Sequence, residues 1–186
     1  MKLLIMGPPG VGKGTQAKII KDKLKITHIS TGELLRQEIT ETTEIGIVAK
    51  KYIDQGKLVP DNYLFTIVNE RLGRLDCKDG YILDGFPRTL NQANGLEKIM
   101  DGFDHSLNRA ISLYADEDEL VERLVKRGEN SGRSDDTTHI IRNRQKIYWQ
   151  QTAPLLDFYE ERGLLNNVNG LGEIKEITDR ILTVIK

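Results

Sequence analysis

Residues 7–15 carry the clearest chemical pattern in the chain. They read Gly-Pro-Pro-Gly-Val-Gly-Lys-Gly-Thr, which matches the phosphate-loop pattern G-x-x-x-x-G-K. Glycines let backbone N–H groups turn inward around phosphate oxygens, and a following helix N-terminus and a lysine add positive charge. The pattern predicts that phosphate is bound by Gly10, Val11, Gly12, Lys13, Gly14 and Thr15. Gly14 occupies the place where the general pattern has Ser or Thr, so a hydroxyl ligand for magnesium would have to come from Thr15.

A phosphate loop indicates nucleoside triphosphate binding but does not specify a reaction. The chain has no Asn-Lys-x-Asp sequence, which reads guanine in GTPases. The protein-kinase sequences V-A-I-K and H-R-D are also absent. Other residues must therefore identify the second substrate.

The elements around this loop alternate between strand and helix. Short apolar runs predict buried strands, at 3–6, 81–83, 110–113 and 164–168. Longer amphipathic stretches predict helices, at 13–24, 61–74, 89–100, 117–127, 137–162 and 173–185. Pro154 should interrupt the fifth helix. The alternation predicts an α/β fold of three layers, with helices on both faces of a parallel sheet of about five strands.

Two polar stretches do not fit the alternation. Residues 30–59 are helical in pattern without a strand, and Ser30 with Glu33 forms a capping-box pattern. Residues 128–136 are predicted to form a short loop. Ligands of parallel sheets bind beyond the carboxyl ends of the strands. We therefore expect both stretches to be mobile inserts at that edge.

Composition excludes several classes of protein. Of the 186 residues, 38% are apolar and 30% charged, and the net charge of −1 argues against nucleic acid or a membrane surface as partner. The single cysteine, Cys77, cannot form an intramolecular disulfide. The first apolar run is too short for a signal peptide, so we expect a cytoplasmic protein.

Beyond the phosphate loop, several segments resemble the nucleoside monophosphate kinases, and among them the adenylate kinases. They are Ser30–Arg36 (Ser-Thr-Gly-Glu-Leu-Leu-Arg), 56–60 (Gly-Lys-Leu-Val-Pro), 84–89 (Asp-Gly-Phe-Pro-Arg-Thr), 132–136 (Gly-Arg-Ser-Asp-Asp) and Arg144. They follow the order and spacing of that family from residue 1 to about residue 172. The resemblance implies one kinase domain with a core (1–29, 60–126, 137–186), a monophosphate-binding insert (30–59) and a short lid (about 127–136).

The resemblance also implies an AMP site. Arg36 and Arg88 resemble the clamps on the AMP phosphate, and a guanidinium suits a phosphate dianion because it offers two parallel donors. The pairing of Thr31 with Gln92 favours AMP over the pyrimidine monophosphates UMP and CMP. The full set implied for AMP is Thr31, Arg36, Lys57, Leu58, Val59, Gly85, Phe86, Pro87, Arg88, Gln92, Arg133 and Arg144.

For ATP, the resemblance implies a ring of arginines around the transferred phosphoryl group. With Lys13 and Arg88, the catalytic set is Arg123, Arg127, Arg133 and Arg144. Gly172 would lie near the ATP adenine, and Asp84 would hold magnesium through water. Asp135 and Asp136 are expected to pair with arginines or lid backbone when the lid closes.

The implied reaction is reversible transfer of a phosphoryl group from MgATP to AMP, giving two ADP. The resemblance also implies a monomer. We expect no structural zinc, because the lid is short and lacks the four metal ligands of long, zinc-bearing lids. Two alternatives stay open: a kinase for another monophosphate, and a non-catalytic ATP-binding module.

Overall fold

The fold is a parallel sheet with helices on both faces. The computed structural model describes residues 1–131 and 133–186, of which 117–118 and 130–131 are described by their backbone alone. The strands are β1 (Lys2–Met6), β2 (Thr27–Ser30), β3 (Tyr81–Asp84), β4 (Arg109–Tyr114) and β5 (Leu165–Asn169). All neighbouring strands pair in parallel, in the order β2-β3-β1-β4-β5. The α/β class and the five-stranded parallel sheet predicted from the sequence are confirmed.

The α-helices follow the predicted alternation closely. They are α1 (Lys13–Leu24), α2 (Thr31–Thr40), α3 (Glu44–Ile53), α4 (Asp61–Leu72), α5 (Leu90–Asp101), α6 (Glu117–Ser131), α7 (Thr138–Ile147), α8 (Leu155–Glu160) and α9 (Ile174–Val184). A short 3-10 turn, Leu75–Cys77, follows α4.

Alternating strand residues divide the core into two layers. In β1, Leu4 packs with α4, α5 and α8 on one face, whereas Leu3 and Ile5 pack with α1 and α9 on the other. Successive side chains of a strand point to opposite faces, so a run of buried apolar residues requires cover on both sides. This explains why β1 is apolar in four successive residues.

Three parts of the fold differ from the sequence prediction. β2 was not among the predicted strands, because in Thr-His-Ile-Ser only Ile29 is apolar. The predicted helix 137–162 is divided into α7, a π-helical turn (Tyr148–Thr152) and α8. Pro154 lies at the start of α8, as expected for a residue without an N–H.

The third difference concerns the predicted loop 128–136. Helix α6 continues to Ser131, four residues beyond the predicted end. The backbone of Asp136 passes close to Gly128 of this helix, so that a Cβ on Gly128 would lie 2.7 Å from the Asp136 carbonyl oxygen. The glycine therefore allows close packing, and α6 includes the first four residues of the predicted loop. Gly132 lies outside the described residues.

Candidate active site

A cavity of about 400 Å³ opens at the carboxyl edge of the sheet. It lies between the loop after β1, the insert formed by α2 and α3, the end of β3, and the lid side of α6 and α7. Seventeen of the residues predicted from the sequence line it: Gly10, Gly12, Lys13, Gly14, Thr15, Thr31, Arg36, Lys57, Leu58, Val59, Asp84, Gly85, Arg88, Arg123, Arg127, Arg133 and Arg144.

The phosphate loop connects β1 to α1 in the geometry that the motif requires. Gly7, Gly10 and Gly12 have φ of 138°, 90° and 95°, a region that residues with a Cβ rarely adopt. Gly10 also has no room for a side chain, because a Cβ would lie 2.7 Å from the Leu120 carbonyl oxygen. Lys13 lies over the loop, and its Nζ donates hydrogen bonds to the carbonyls of Gly7 and Pro8, at 2.7 and 3.0 Å.

The ammonium group of Lys13 is electrostatically unfavourable in this place. Burial, which the charge of Asp84 opposes, acts together with the charges of Arg88, Arg144 and Arg127 to lower the pKa of Lys13 from 10.5 to about 7. A concentration of positive charge with few counter-charges is a site prepared for an anion.

Arg88 is held at the end of β3 by the turn that follows this strand. Its Nε donates to the Gly85 carbonyl at 2.8 Å, and its own carbonyl accepts from Thr152 Oγ1 at 2.9 Å. Gly85 has φ of 84°, and the Phe86–Pro87 peptide bond is cis. Burial, followed by the charge of Arg144, lowers the pKa of Arg88 to about 10.

On the insert, Arg36 faces the same cavity from α2. Its pKa is lowered by burial and then by the charge of Arg133. Helix α2 begins where the sequence predicted, since the Glu33 N–H donates to Ser30 Oγ at 3.4 Å. The Glu33 carboxylate forms an ion pair with Lys18 of α1 at 3.2 Å.

The two lid aspartates pair with arginines, as predicted. Asp136 accepts from Arg127 Nε at 2.7 Å and from Arg144 Nη1 at 2.8 Å, and Asp135 pairs with Arg144 at 2.8 Å. Burial would raise the pKa of Asp136, but the hydrogen bonds and charge of Arg127, followed by the charges of Arg144 and Arg133, lower it overall. Arg123 is one helical turn from Arg127 and forms an ion pair with Glu119.

Asp84 could bind a metal ion together with a substrate. Its carboxylate ends β3, faces the phosphate loop across Gly14, and lies 3.7 Å from the buried Nε2 of His28. Thr15 is exposed and lines the cavity. One carboxylate beside a phosphate site fits magnesium, which keeps several waters and takes substrate phosphates as ligands. Among the side chains that the structure describes, no three of His, Cys, Asp or Glu cluster as a metal site.

Five predicted site residues do not line the main cavity. Val11 is buried in the core, and Phe86 packs edge-on against Phe65. Pro87 lines a small adjoining cavity of about 60 Å³. Gly172, with φ of 109°, lies in the turn before α9. The roles proposed for these residues and for Gln92 stay predictions.

Gln92 is fully buried, and its amide is oriented by two hydrogen bonds. Its Nε2 donates to Asp61 Oδ1 at 2.7 Å, and its Oε1 accepts from the Arg88 N–H at 2.7 Å. The sequence analysis did not identify Asp61, which follows Pro60 at the start of α4. An acidic first residue of a predicted helix indicates by itself only a favourable helix terminus.

A second polar residue that the sequence analysis missed is Gln145 of α7. Its side chain is buried and its Nε2 donates to the carbonyl of Pro9 in the phosphate loop, at 3.1 Å. Its spacing of four from Ile141, the other buried residue of α7, would have placed it on the inward face.

Together these features define the class of the protein. A glycine-rich loop between β1 and α1, in a parallel sheet with cations from several segments around one cavity, is the architecture of a P-loop nucleotide-binding protein.

Comparison with known proteins identifies the family within this class. A family model described as adenylate kinase matches residues 5–164. An adenylate kinase of Leptospira biflexa is 48% identical over 184 residues, covering 99% of both chains. One of Bifidobacterium longum is 48% identical over 183 residues, 98% of both chains, and one of Stenotrophomonas maltophilia is 46% identical over 186 residues, the whole of both. This chain belongs to the adenylate kinase family.

Proposed function

We propose that this chain catalyses the reaction MgATP + AMP ⇌ MgADP + ADP. The observation that carries the proposal is the convergence of Lys13, Arg88 and Arg133 on one cavity. These residues come from three segments far apart in the sequence. Two phosphate tails placed end to end require positive groups from both sides, whereas binding of one nucleotide does not.

The proposed mechanism needs no general base. An AMP phosphate oxygen is already anionic at neutral pH and attacks the γ-phosphorus of ATP in line with the leaving ADP. Catalysis then consists of positioning and charge stabilisation. Arg36 and Arg88 would hold the AMP phosphate, and Lys13 with the loop N–H groups would hold the ATP phosphates.

Four further arginines would surround the transferred group: Arg123, Arg127, Arg133 and Arg144. Two of them are oriented by carboxylates, because Asp135 and Asp136 bind Arg144 and Asp136 binds Arg127. Magnesium arrives with ATP and would be held by Asp84 through water, with Thr15 as a second candidate. It supplies additional positive charge to the phosphate oxygens.

Water competes with AMP as nucleophile, so the site must close during transfer. We propose that 30–59 and about 127–136 are the closing segments, and that 1–29, 60–126 and 137–186 form the core. One hydrogen bond joins the two closing segments, since Ser134 Oγ donates to Asp54 Oδ1 at 2.7 Å. Another joins 30–59 to the core, since Asn143 Nδ2 donates to the Gln55 carbonyl at 2.8 Å.

Thr31, Lys57, Leu58, Val59, Gly85, Phe86, Pro87 and Gln92 are proposed to form the rest of the AMP site, and Gly172 to lie near the ATP adenine. We further propose a cytoplasmic monomer whose lid holds no structural zinc. Among the described residues, no helix has the length and apolar character needed to cross a membrane. About one tightly bound zinc per purified chain would contradict the zinc proposal.

The decisive experiment measures ADP formation from ATP with AMP, UMP, CMP and GMP in turn. We expect AMP to give the highest kcat/KM. A reaction without any monophosphate serves as the control for ATP hydrolysis. Preference for UMP or CMP would favour the other monophosphate kinases, and nucleotide binding without ADP formation would favour a non-catalytic module.

A further inference from the structure

Gln145 is an unusual residue for its position. The buried residues of α7 are Ile141 and Gln145, spaced four apart on the face that packs inward. Gln145 is 1% exposed. An apolar residue is the ordinary occupant of such a position, because a buried amide loses its water and must find partners inside the protein.

Among the described residues, only one of the two polar atoms of the Gln145 amide has a hydrogen-bond partner. Its Nε2 donates to the Pro9 carbonyl at 3.1 Å. Its Oε1 is buried and has no hydrogen-bond partner among the residues that the structure describes. A half-satisfied amide costs stability compared with an apolar side chain of the same size. The contact with Pro9 is therefore better explained by function than by folding.

The bond to Pro9 fixes the direction of an N–H group in the phosphate loop. In a trans peptide the C=O and the following N–H point in opposite directions. Because the Pro9 carbonyl points toward α7, the N–H of Gly10 points away from α7. Gly10 lines the cavity that would hold the ATP phosphates.

Three successive carbonyls of the phosphate loop accept hydrogen bonds from two different side chains. Lys13 holds those of Gly7 and Pro8, whereas Gln145 holds that of Pro9. When Lys13 turns to a phosphate it must release its two carbonyls. The bond from Gln145 does not compete with substrate and can persist through the reaction.

We infer that Gln145 is a positioning residue of the ATP phosphate site, which anchors the Pro9–Gly10 peptide so that the Gly10 N–H faces the phosphates. The inference rests on the proposed function, specifically on ATP binding at this loop. It also links the loop to the lid, because the neighbouring residue Arg144 bonds Asp135 and Asp136.

The test uses Gln145→Met and Gln145→Leu, which remove the donor and the unpaired oxygen while keeping similar volume. We expect the KM for ATP to rise about fivefold, which corresponds to about 1 kcal/mol. The KM for AMP should change less than twofold, and Tm should stay equal or rise. Isothermal titration with inorganic tripolyphosphate should show the same fivefold loss, because it probes the loop without the base.

Thr178→Val is the matched control, since Thr178 is a buried residue of α9 whose hydroxyl donates to Gln16 at 2.8 Å. It should lower Tm and leave both KM values unchanged. If both Gln145 variants behave like this control, or keep the KM for ATP within twofold of wild type, Gln145 is only a structural residue. Absence of ATP and tripolyphosphate binding in the wild-type protein would instead refute the proposed function.

Discussion

Replacing Lys13 with methionine should remove activity and yet make the substrate-free protein more stable at neutral pH. Lys13 is proposed to bind phosphate, but without phosphate its ammonium group is poorly hydrated and lies among three arginines. Methionine has similar length and no charge, so it avoids that unfavourable free energy. The same residue would thus stabilise the substrate complex and destabilise the free protein.

The size of this effect follows from the pKa of Lys13, which falls from 10.5 to about 7 on folding. Between these values the unfolded chain holds more protons than the folded chain, so the free energy of unfolding rises with pH. The slope approaches about 1.4 kcal/mol per pH unit for one proton. From pH 7 to pH 9 the wild-type protein should therefore gain about 2 kcal/mol relative to Lys13→Met.

Urea unfolding of both proteins at pH 7, 8 and 9, without nucleotide, measures this gain. Taking the difference between the two proteins cancels the titration of every other group that they share. Lys18→Met is the control, because Lys18 lies on the same helix with its side chain largely in solvent. Its stability difference from wild type should be the same at the three pH values.

A stability difference between wild type and Lys13→Met that does not change between pH 7 and pH 9 would refute this reasoning. So would a methionine variant that is less stable than wild type at pH 7. Adding tripolyphosphate at pH 7 gives an independent check, since the bound anion should reverse the order of stability of the two proteins.

Three further substitutions test other parts of the structure. Arg88→Ala should lower kcat/KM for AMP by about 10³-fold or more with no loss of Tm, and unchanged turnover at saturating substrate would contradict its role. Gly46→Ala should lower Tm by about 5–10 °C in a melting experiment, because a Cβ there would overlap the Glu38 carbonyl where α3 crosses α2. Asp136→Asn should lower the free energy of unfolding, measured in urea, by about 2 kcal/mol. This value allows for the partial exposure of Arg127, which weakens the ion pair. An unchanged urea midpoint would show that the pairing of Asp136 with the arginines does not stabilise the fold.

The sequence predicted the fold best where the local pattern and the tertiary environment agree. The β1 run, buried on both faces, and the glycines of the phosphate loop carry their conformation in their own residues. β2 was missed because its strand form depends on pairing with β3, from Thr27 opposite Tyr81 to Ser30 opposite Asp84. Such pairing is non-local and leaves no periodic pattern in four residues of which only Ile29 is apolar.

The residues of the candidate site were also predicted best where they belong to a local sequence motif. Residues in compact motifs, such as 7–15 and 84–89, were predicted to lie together, and most of them line the main cavity or the small one beside it. The partners of those residues were not predicted. Asp61 and Gln145 act through hydrogen bonds to residues 31 and 136 positions away in the sequence, and only the fold brings them together.

The distribution of carboxylates around the cavity suggests how repulsion among the cations is limited. On the lid side, Arg127 and Arg144 have aspartate partners that hold them in place. Lys13 and Arg88 are instead bonded to backbone carbonyls, which orient them without neutralising their charge. A lysine or arginine can exchange a backbone carbonyl oxygen for a phosphate oxygen with little loss of electrostatic energy. An arginine that leaves an aspartate must instead separate from an opposite charge. Of the groups proposed to contact substrate phosphates, Lys13 and Arg88 are thus held by more easily replaced bonds than Arg127 and Arg144.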